Sequence, residues 1–476
     1  MTAPADEAGT VRRVAIVGGG FSGAMLAAGL AENGVASTLI DRTGVFGPGV
    51  AYSTGFDGHV LNVRSGRMSA VEGRPDDFVR WLEAHHPDGA DPEGFAPRRL
   101  YGLYVADRLA GAEAAHPGLI TRVVGEAVAL AGPVVCLSDG RRIEADAVVL
   151  ATGNPAPDTA DSLRADGQDR LIGDPWRSDA LDRIGPNDDV VILGTGLTMV
   201  DSILWLLARG WRGRATALSR RGLRPHAHGA RHGPPVTPGE ALTTGPVSRR
   251  LAEARRLSAE NDWRGVMEGL RPVTAALWVA ADAATRARFL RHLRPWWDVH
   301  RHRIADSVAV SMRRLETEGR LMVYAGRVRR VEQTADGIVV DWTPRRGRSP
   351  ASLTGRWLID CTGPGHHPAT DPLTGPLIAS GRARLDPLKL GLALDAEGRV
   401  LDADGAPDRS LFVLGPPARA AFWETVAVPD IRKRIAGLVG TLAGPASDEG
   451  EQSDQAEGQA DQRQQGQGDD RGDAKA

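Results

Sequence analysis

Val14-Ala-Ile-Val-Gly-Gly-Gly-Phe-Ser-Gly23 is followed by the small-residue run Ala24 to Glu32 and by Val35 to Ile40. Four apolar residues before a glycine cluster read as a short buried strand, and Ala24 to Glu32 as a helix. Val35 to Ile40 is a second strand. Gly18, Gly20 and Gly23 stand in the order G-x-G-x-x-G between the strand and the helix. The first permits a tight turn, the second lets backbone approach a pyrophosphate, and the third allows close helix–strand packing. With Phe21 and Ser22, these residues form the helix N-terminus, which supplies N–H groups and a positive dipole end. Asp41 closes the second strand, where a carboxylate accepts hydrogen bonds from a ribose, and Arg42 follows it. The stretch is a dinucleotide-binding fingerprint, and it predicts a parallel sheet with helices on its faces.

The pattern returns downstream. Val148 to Leu150 leads into Ala151-Thr152-Gly153, another buried strand with a glycine turn. Asp189 to Leu193 then opens a second β-turn-α-β unit, with a helix over about 197–209 and a strand over Ala215 to Ser219. Its loop, Gly194-Thr-Gly196-Leu-Thr198-Met199, keeps the two glycines that approach a ligand, and Met199 takes the place of the third. Here the following strand ends in Ser219-Arg220-Arg221, with no acid. An arginine fork clamps a 2′-phosphate that a carboxylate would repel, so the second loop selects NADPH over NADH. The fold class is therefore α/β, with two Rossmann-type dinucleotide-binding domains.

The remainder reads more simply. Residues 221–240 form a long loop, 246–317 a helical insertion, and 323–342 a strand pair. Trp357 to Cys361 and Leu411 to Leu414 are further strands, and a last helix runs over about 429–442. The composition from Ser447 onward, Gln, Asp, Gly and Glu with no large apolar residue, predicts disorder.

A chain of 476 residues with 42% hydrophobic and 25% charged residues has room for two or three domains. A net charge of −2 gives no basic field for nucleic acid. The two cysteines, Cys136 and Cys361, form no C-x-x-C, which argues against a redox dithiol or a cysteine zinc site. Six glycines, Glu32 and Asn33 interrupt the apolar stretch from Val14 to Ala36, so no stable membrane insertion is expected. No cationic leader precedes it, and the expected location is cytoplasmic. His226, His228 and His232 share one segment, and His300 and His302 another, without a completed ligand set. Trp296, Trp297 and Asp298 combine aromatic surface with a carboxylate, a composition suited to a pocket wall.

Taken together, the two loops and the Ala151-Thr-Gly153 strand end resemble the two-dinucleotide-binding-domain flavoproteins. A closer resemblance is to the FAD/NAD(P)-binding proteins of the YdhS type, distant relatives of the flavin-containing and Baeyer–Villiger monooxygenases. It rests on Gly47-Pro-Gly-Val-Ala-Tyr52, Leu61-Asn-Val-Arg-Ser-Gly-Arg-Met68, Asp77-Phe-Val-Arg-Trp81, Gly194 to Asp201, Arg294 to Arg303 and Trp423 to Pro429. The resemblance implies FAD on the first loop, held also by Thr152 and Gly153, and NADPH on the second, with Thr198 in its helix start. It implies an FAD domain over residues 11–180 and 345–445, an NAD(P)H domain over 181–344, and a tail over 446–476. Asn62 and Met68 resemble the pair that flavin-containing monooxygenases place beside the isoalloxazine ring, which makes Asn62 the candidate catalytic residue. Gly415 stands where related flavoproteins hold the ribityl phosphate, although Leu414-Gly415-Pro416 lacks their aspartate. Pro429 opens the closing helix, whose N-terminus is expected at the flavin's pyrimidine edge. The Baeyer–Villiger fingerprint is not met around Leu171 to Trp176. The implied activity is hydride transfer from NADPH to FAD, then oxygenation of a small molecule. A reductase without productive oxygen chemistry, and a dinucleotide-binding sensor, are the alternatives.

Overall fold

The computed structural model describes residues 12–155, 169–177, 179–229, 233–347, 349–363, 365 and 368–444. The predicted tail and His232 lie outside the described residues. In chain order the strands are β1 (Arg13–Val17), β2 (Ala36–Asp41), β3 (Ile120–Val124), β4 (Ala127–Ala131), β5 (Val134–Leu137), β6 (Arg142–Glu144), β7 (Ala147–Leu150) and β8 (Leu171–Ile172). They continue with β9 (Val190–Leu193), β10 (Ala215–Ser219), β11 (Leu321–Gln333), β12 (Ile338–Pro344), β13 (Ala351–Gly355), β14 (Trp357–Asp360), β15 (Arg399–Leu401) and β16 (Pro407–Val413).

A first sheet runs in the order β15-β16-β7-β1-β2-β3, parallel except at its β15 edge. Its central strands read as continuous apolar runs because both faces are covered. One face packs on helices Phe21–Glu32, Arg98–Ala115 and Val428–Ala443 in a single core. Gly29 allows the first and last of these to approach closely, since a Cβ there would lie 3.0 Å from Val439 Cγ2. The other face is covered by the β4-β5-β6 meander, with Val135 and Leu137 buried beneath it.

A second sheet runs β13-β12-β11-β10-β9-β14-β8. Its β11-β10-β9-β14-β8 part is parallel, and β12 and β13 extend it as an antiparallel hairpin. Helices Leu197–Ala208 and Asp306–Thr317 share one core with it. β8, β13 and β14, from the stretches 11–180 and 345–445 expected for the first domain, pair within this sheet. β14 lies parallel to β9 and leads into Cys361, whose carbonyl stands against Gly194.

Between β10 and β11 sits the helical insertion, made of helices Val247–Glu260, Trp263–Leu270, Thr274–Val279, Ala283–His292 and Arg294–Arg301. Asp262 and Asp282 each start a helix by accepting an N–H bond, from Arg264 at 2.9 Å and from Thr285 at 2.7 Å.

Candidate functional site

Gly18 turns the chain out of β1 with φ +114°, donating its N–H to the Ile40 carbonyl at 2.8 Å. A side chain at this position would run into the Ala151 carbonyl, and one at Gly23 into the carbonyl of Gly18. Gly20 faces Gly49, whose Cα lies 3.2 Å from where a Cβ would stand. The helix that follows has Gly20 as its N-cap, no side-chain cap and no acid in its first turn. Its first-turn N–H groups are thus left for an anion.

A cleft of about 450 Å³ opens beside this loop, lined by Gly18, Asp41, Arg42, Thr152 and Gly153. Gly18 and Asp41, expected from the fingerprint, thus meet in one cavity with Arg42 and with Thr152 and Gly153, which the resemblance implied. The Asp41 carboxylate accepts N–H bonds from Gly19 and Thr43, both at 2.8 Å, so its orientation is set by its own loop. Phe21 is buried against Tyr52 and Tyr101 and supports the loop from below. Gly415, at φ +77°, abuts Ser22: a Cβ there would stand 2.6 Å from the serine Oγ.

Pro416 and Arg419 line the same cleft. Among the described residues the buried Nε of Arg419 has no hydrogen-bond partner; burial, then Arg294, lowers the pKa of its guanidinium, against the charges of Asp298 and Asp386. A guanidinium on a glycine-lined cleft fits a pyrophosphate, and so does the uncapped helix start. The residues present thus fit FAD. Arg419 escaped the sequence reading because it follows two prolines in a segment without helical periodicity. Its cation also stands near the position where the related flavoproteins' aspartate is missing.

The second loop repeats the turn. Gly194, at φ +101°, lies against the Cys361 carbonyl, and its N–H bonds Leu218 O at 2.8 Å. Around Gly196, by contrast, no described atom lies within 4 Å of a Cβ position. Open space therefore fronts an uncapped helix start at Leu197, whose first turn includes Thr198 and carries no acid. Met199, in the third glycine's place, is 1% exposed and packs into the second core. The two arginines have different surroundings. Arg221 forks onto the carbonyls of Arg291 and His292, at 2.8 and 3.0 Å, closing helix Ala283–His292. Arg220 is exposed; burial lowers the Arg221 pKa, and the nearby charges of Arg345 and Arg220 lower it further. Arg345 reaches this corner because its N–H bonds Ala325 O at 2.8 Å, and Ala325 pairs with Ser219.

Asn62 is half-buried, and its carbonyl accepts a bond from His228 Nε2 at 3.0 Å. Among the described residues its side-chain amide has no hydrogen-bond partner. Met68 is buried in the first core rather than lining the cleft. Pro429 is the second residue of helix Val428–Ala443.

Residues 15–155 match the model of a family described as FAD-NAD(P)-binding. Ornithine hydroxylase from Pseudomonas aeruginosa superposes with a TM-score of 0.60 at 16% identity, covering 91% of this chain and 99% of its own. L-lysine 6-monooxygenase from Pseudomonas syringae gives 0.60 at 17%, with coverages of 91% and 99%. The cadaverine monooxygenase DfoA from Erwinia amylovora, solved with FAD, gives 0.62 at 13%, with coverages of 91% and 94%. The chain has the fold of the two-dinucleotide flavoprotein monooxygenases. No curated protein matches it. Among the described residues no helix is long and apolar enough to cross a membrane.

Proposed function

We propose that this flavoprotein-fold chain is an FAD-dependent oxidoreductase that accepts hydride from NADPH and uses oxygen to oxygenate a small molecule. The observation that carries the reading is the pair of uncapped helix starts behind glycine turns, one following Gly18, which lines the Asp41 cleft, and one fronted by the open space at Gly196. Both N-termini supply N–H groups for a pyrophosphate. FAD, when bound, supplies the hydride acceptance and the oxygen chemistry.

The chain's own residues do the rest. Gly18, Gly20, Gly23, Thr152 and Gly153 hold the first dinucleotide, and Asp41 holds its ribose. Gly194, Gly196 and Thr198 hold the second, with Arg220 at the 2′-phosphate. The Asn62 amide, positioned by the His228 bond to its carbonyl, donates to the reacting oxygen and replaces water there. The strings at Gly47–Tyr52, Leu61–Met68 and Trp423–Pro429 support grouping the chain with the YdhS-type proteins. The monooxygenase reading is preferred to a disulfide reductase because Cys136 and Cys361 form no dithiol: Cys136 sits on β5, and Cys361 is buried behind the second loop.

The test is anaerobic reduction of the FAD-loaded protein by NADPH, followed by mixing with oxygen and assay of the hydrogen peroxide released. Rapid flavin bleaching by NADPH is expected. Asn62→Ala is expected to bleach equally and to release a larger fraction of its electrons as peroxide. Failure of NADPH to bleach the flavin overturns the proposal.

A further inference from the structure

A cavity of about 780 Å³ lies in the helical insertion, within the size range of small-molecule sites and larger than the dinucleotide cleft. Five of the protein's 11 tryptophans line it: Trp263, Trp278, Trp296, Trp297 and Trp423. Phe289 sits among them, 5.6 Å from Trp423 and 6.2 Å from both Trp278 and Trp297. The wall is preformed, because Trp278 stacks on Trp423 at 4.5 Å and is fixed by its Nε1 bond to Ala420 O at 2.9 Å.

Charge on the lining has one sign. Arg250, Arg255 and Arg286 line the cavity, and no Asp or Glu does. Arg286 is committed to the carbonyls of Trp278 and Val279. Arg250 makes one long bond, 3.3 Å to Thr244 O, and among the described residues neither Arg250 nor Arg255 has an ion pair. With Arg250 half-buried and Arg255 exposed, an ammonium group here would meet no carboxylate on the lining, whereas a carboxylate would meet two guanidiniums that have no ion pair among the described residues.

The cavity also adjoins the flavin cleft through one segment. Arg419 lines the cleft, and Trp423, four residues on, lines the cavity. Glu424 ties this segment to the insertion by accepting from Trp297 Nε1 at 3.1 Å and pairing with Arg301 at 3.1 Å. The chain's own tail from Ser447 cannot fill an aromatic cavity, since its only apolar side chains are alanines.

We infer that this cavity is the site of an apolar, aromatic organic acid, and that the molecule acted on is of this class rather than a diamine or a basic amino acid. Calling the occupant a substrate rests on the oxidoreductase reading above; its binding does not.

The experiment is calorimetric titration of the FAD-loaded full chain with 1-naphthaleneacetate, its neutral amide 1-naphthaleneacetamide, the cation 2-(1-naphthyl)ethylamine, and L-ornithine. The acid is expected to bind at least about tenfold tighter than the amide, with no measurable binding of the amine or of ornithine. Arg250→Gln with Arg255→Gln is expected to make acid and amide equal, and Ala254→Trp to abolish both with the melting temperature unchanged. Absence of binding by either the acid or the amide, or an amine that binds as tightly as the acid, overturns the inference. Anaerobic bleaching by NADPH is followed on the same samples. Binding without bleaching defeats the oxidoreductase reading and leaves the site standing, and bleaching without binding defeats the site alone.

Discussion

Arg98 and Asp201 form a bidentate ion pair, at 2.9 and 3.2 Å, that joins the two dinucleotide units. Arg98 begins helix Arg98–Ala115 of the first, Asp201 lies on helix Leu197–Ala208 of the second, and their side chains are only 13% and 9% exposed. His59 donates from Nε2 to the Asp201 carbonyl at 2.9 Å, so backbone and side chain are both tied across the junction. Removing one partner of such a pair leaves the other charge buried. Asp201→Asn is therefore expected to lower stability by about 3–5 kcal/mol. Arg98→Met with Asp201→Leu should recover most of that loss, because two apolar groups leave no charge behind. Urea titration of both variants, followed by tryptophan fluorescence, checks it; equal losses would refute the account.

The two glycines of the second loop should separate folding from coenzyme binding. Gly194→Ala puts a methyl group onto the Cys361 carbonyl at a φ of +101°, so the fold itself should suffer. Gly196→Val places its side chain in open space where the pyrophosphate is expected. It should keep FAD content and melting temperature while raising KM for NADPH at least about tenfold. An unchanged KM in a folded Gly196→Val protein would remove NADPH from this loop.

Coenzyme choice should depend on Arg220 and Arg345 more than on Arg221. Losing one charge-assisted contact to a 2′-phosphate costs about 1.5–3 kcal/mol, or roughly 10- to 150-fold in affinity. Arg220→Ala and Arg345→Ala should weaken NADPH by that factor and leave NADH nearly unchanged. Arg221→Ala should instead loosen helix Ala283–His292, whose last carbonyls it holds. Steady-state kinetics with both coenzymes, alongside melting curves, distinguish the two effects.

These contrasts show what the chain makes legible along its length. Gly18, Gly23 and Asp41 could be read from sequence because local turn geometry and strand ends impose residue types at fixed spacing. The same reasoning found Ala215–Ser219 and the closing helix. Arg345, Arg419 and Arg98 could not be found that way. Arg345 and Arg98 reach their places by long-range contacts, β11–β12 pairing and the Asp201 ion pair, and Arg419 by the short turn after Gly415, and none of these leaves a periodic trace. Arg220 and Arg221 show the converse limit. Adjacent arginines are equivalent as letters, and only the C-terminus of helix Ala283–His292, some 70 residues away, makes one of them structural.

Acid lability is expected to have one traceable source at the Asn62 loop. His228 is 7% exposed, and burial first, then the positive charge of Arg303, lowers its pKa to about 4; Arg64 acts in the same sense, while the bond to the Asn62 carbonyl and the charge of Glu268 oppose them. The folded pKa thus lies below the unfolded value of about 6.5, so the fold holds the histidine neutral. Its contribution is complete above pH 6.5 and is lost as the pH falls towards 4. The loss approaches about 1.4 kcal/mol per unit and amounts to roughly 3 kcal/mol across the window. His228→Gln keeps an N–H for the Asn62 carbonyl and cannot titrate. Urea midpoints measured at pH 7.5, 6.5, 5.5 and 4.5 should therefore fall less steeply for the variant than for the native chain, with the two curves diverging only below pH 6.5. Parallel curves would mean that His228 is not the group that charges, and that the carbonyl of Asn62 is held by a bond indifferent to pH.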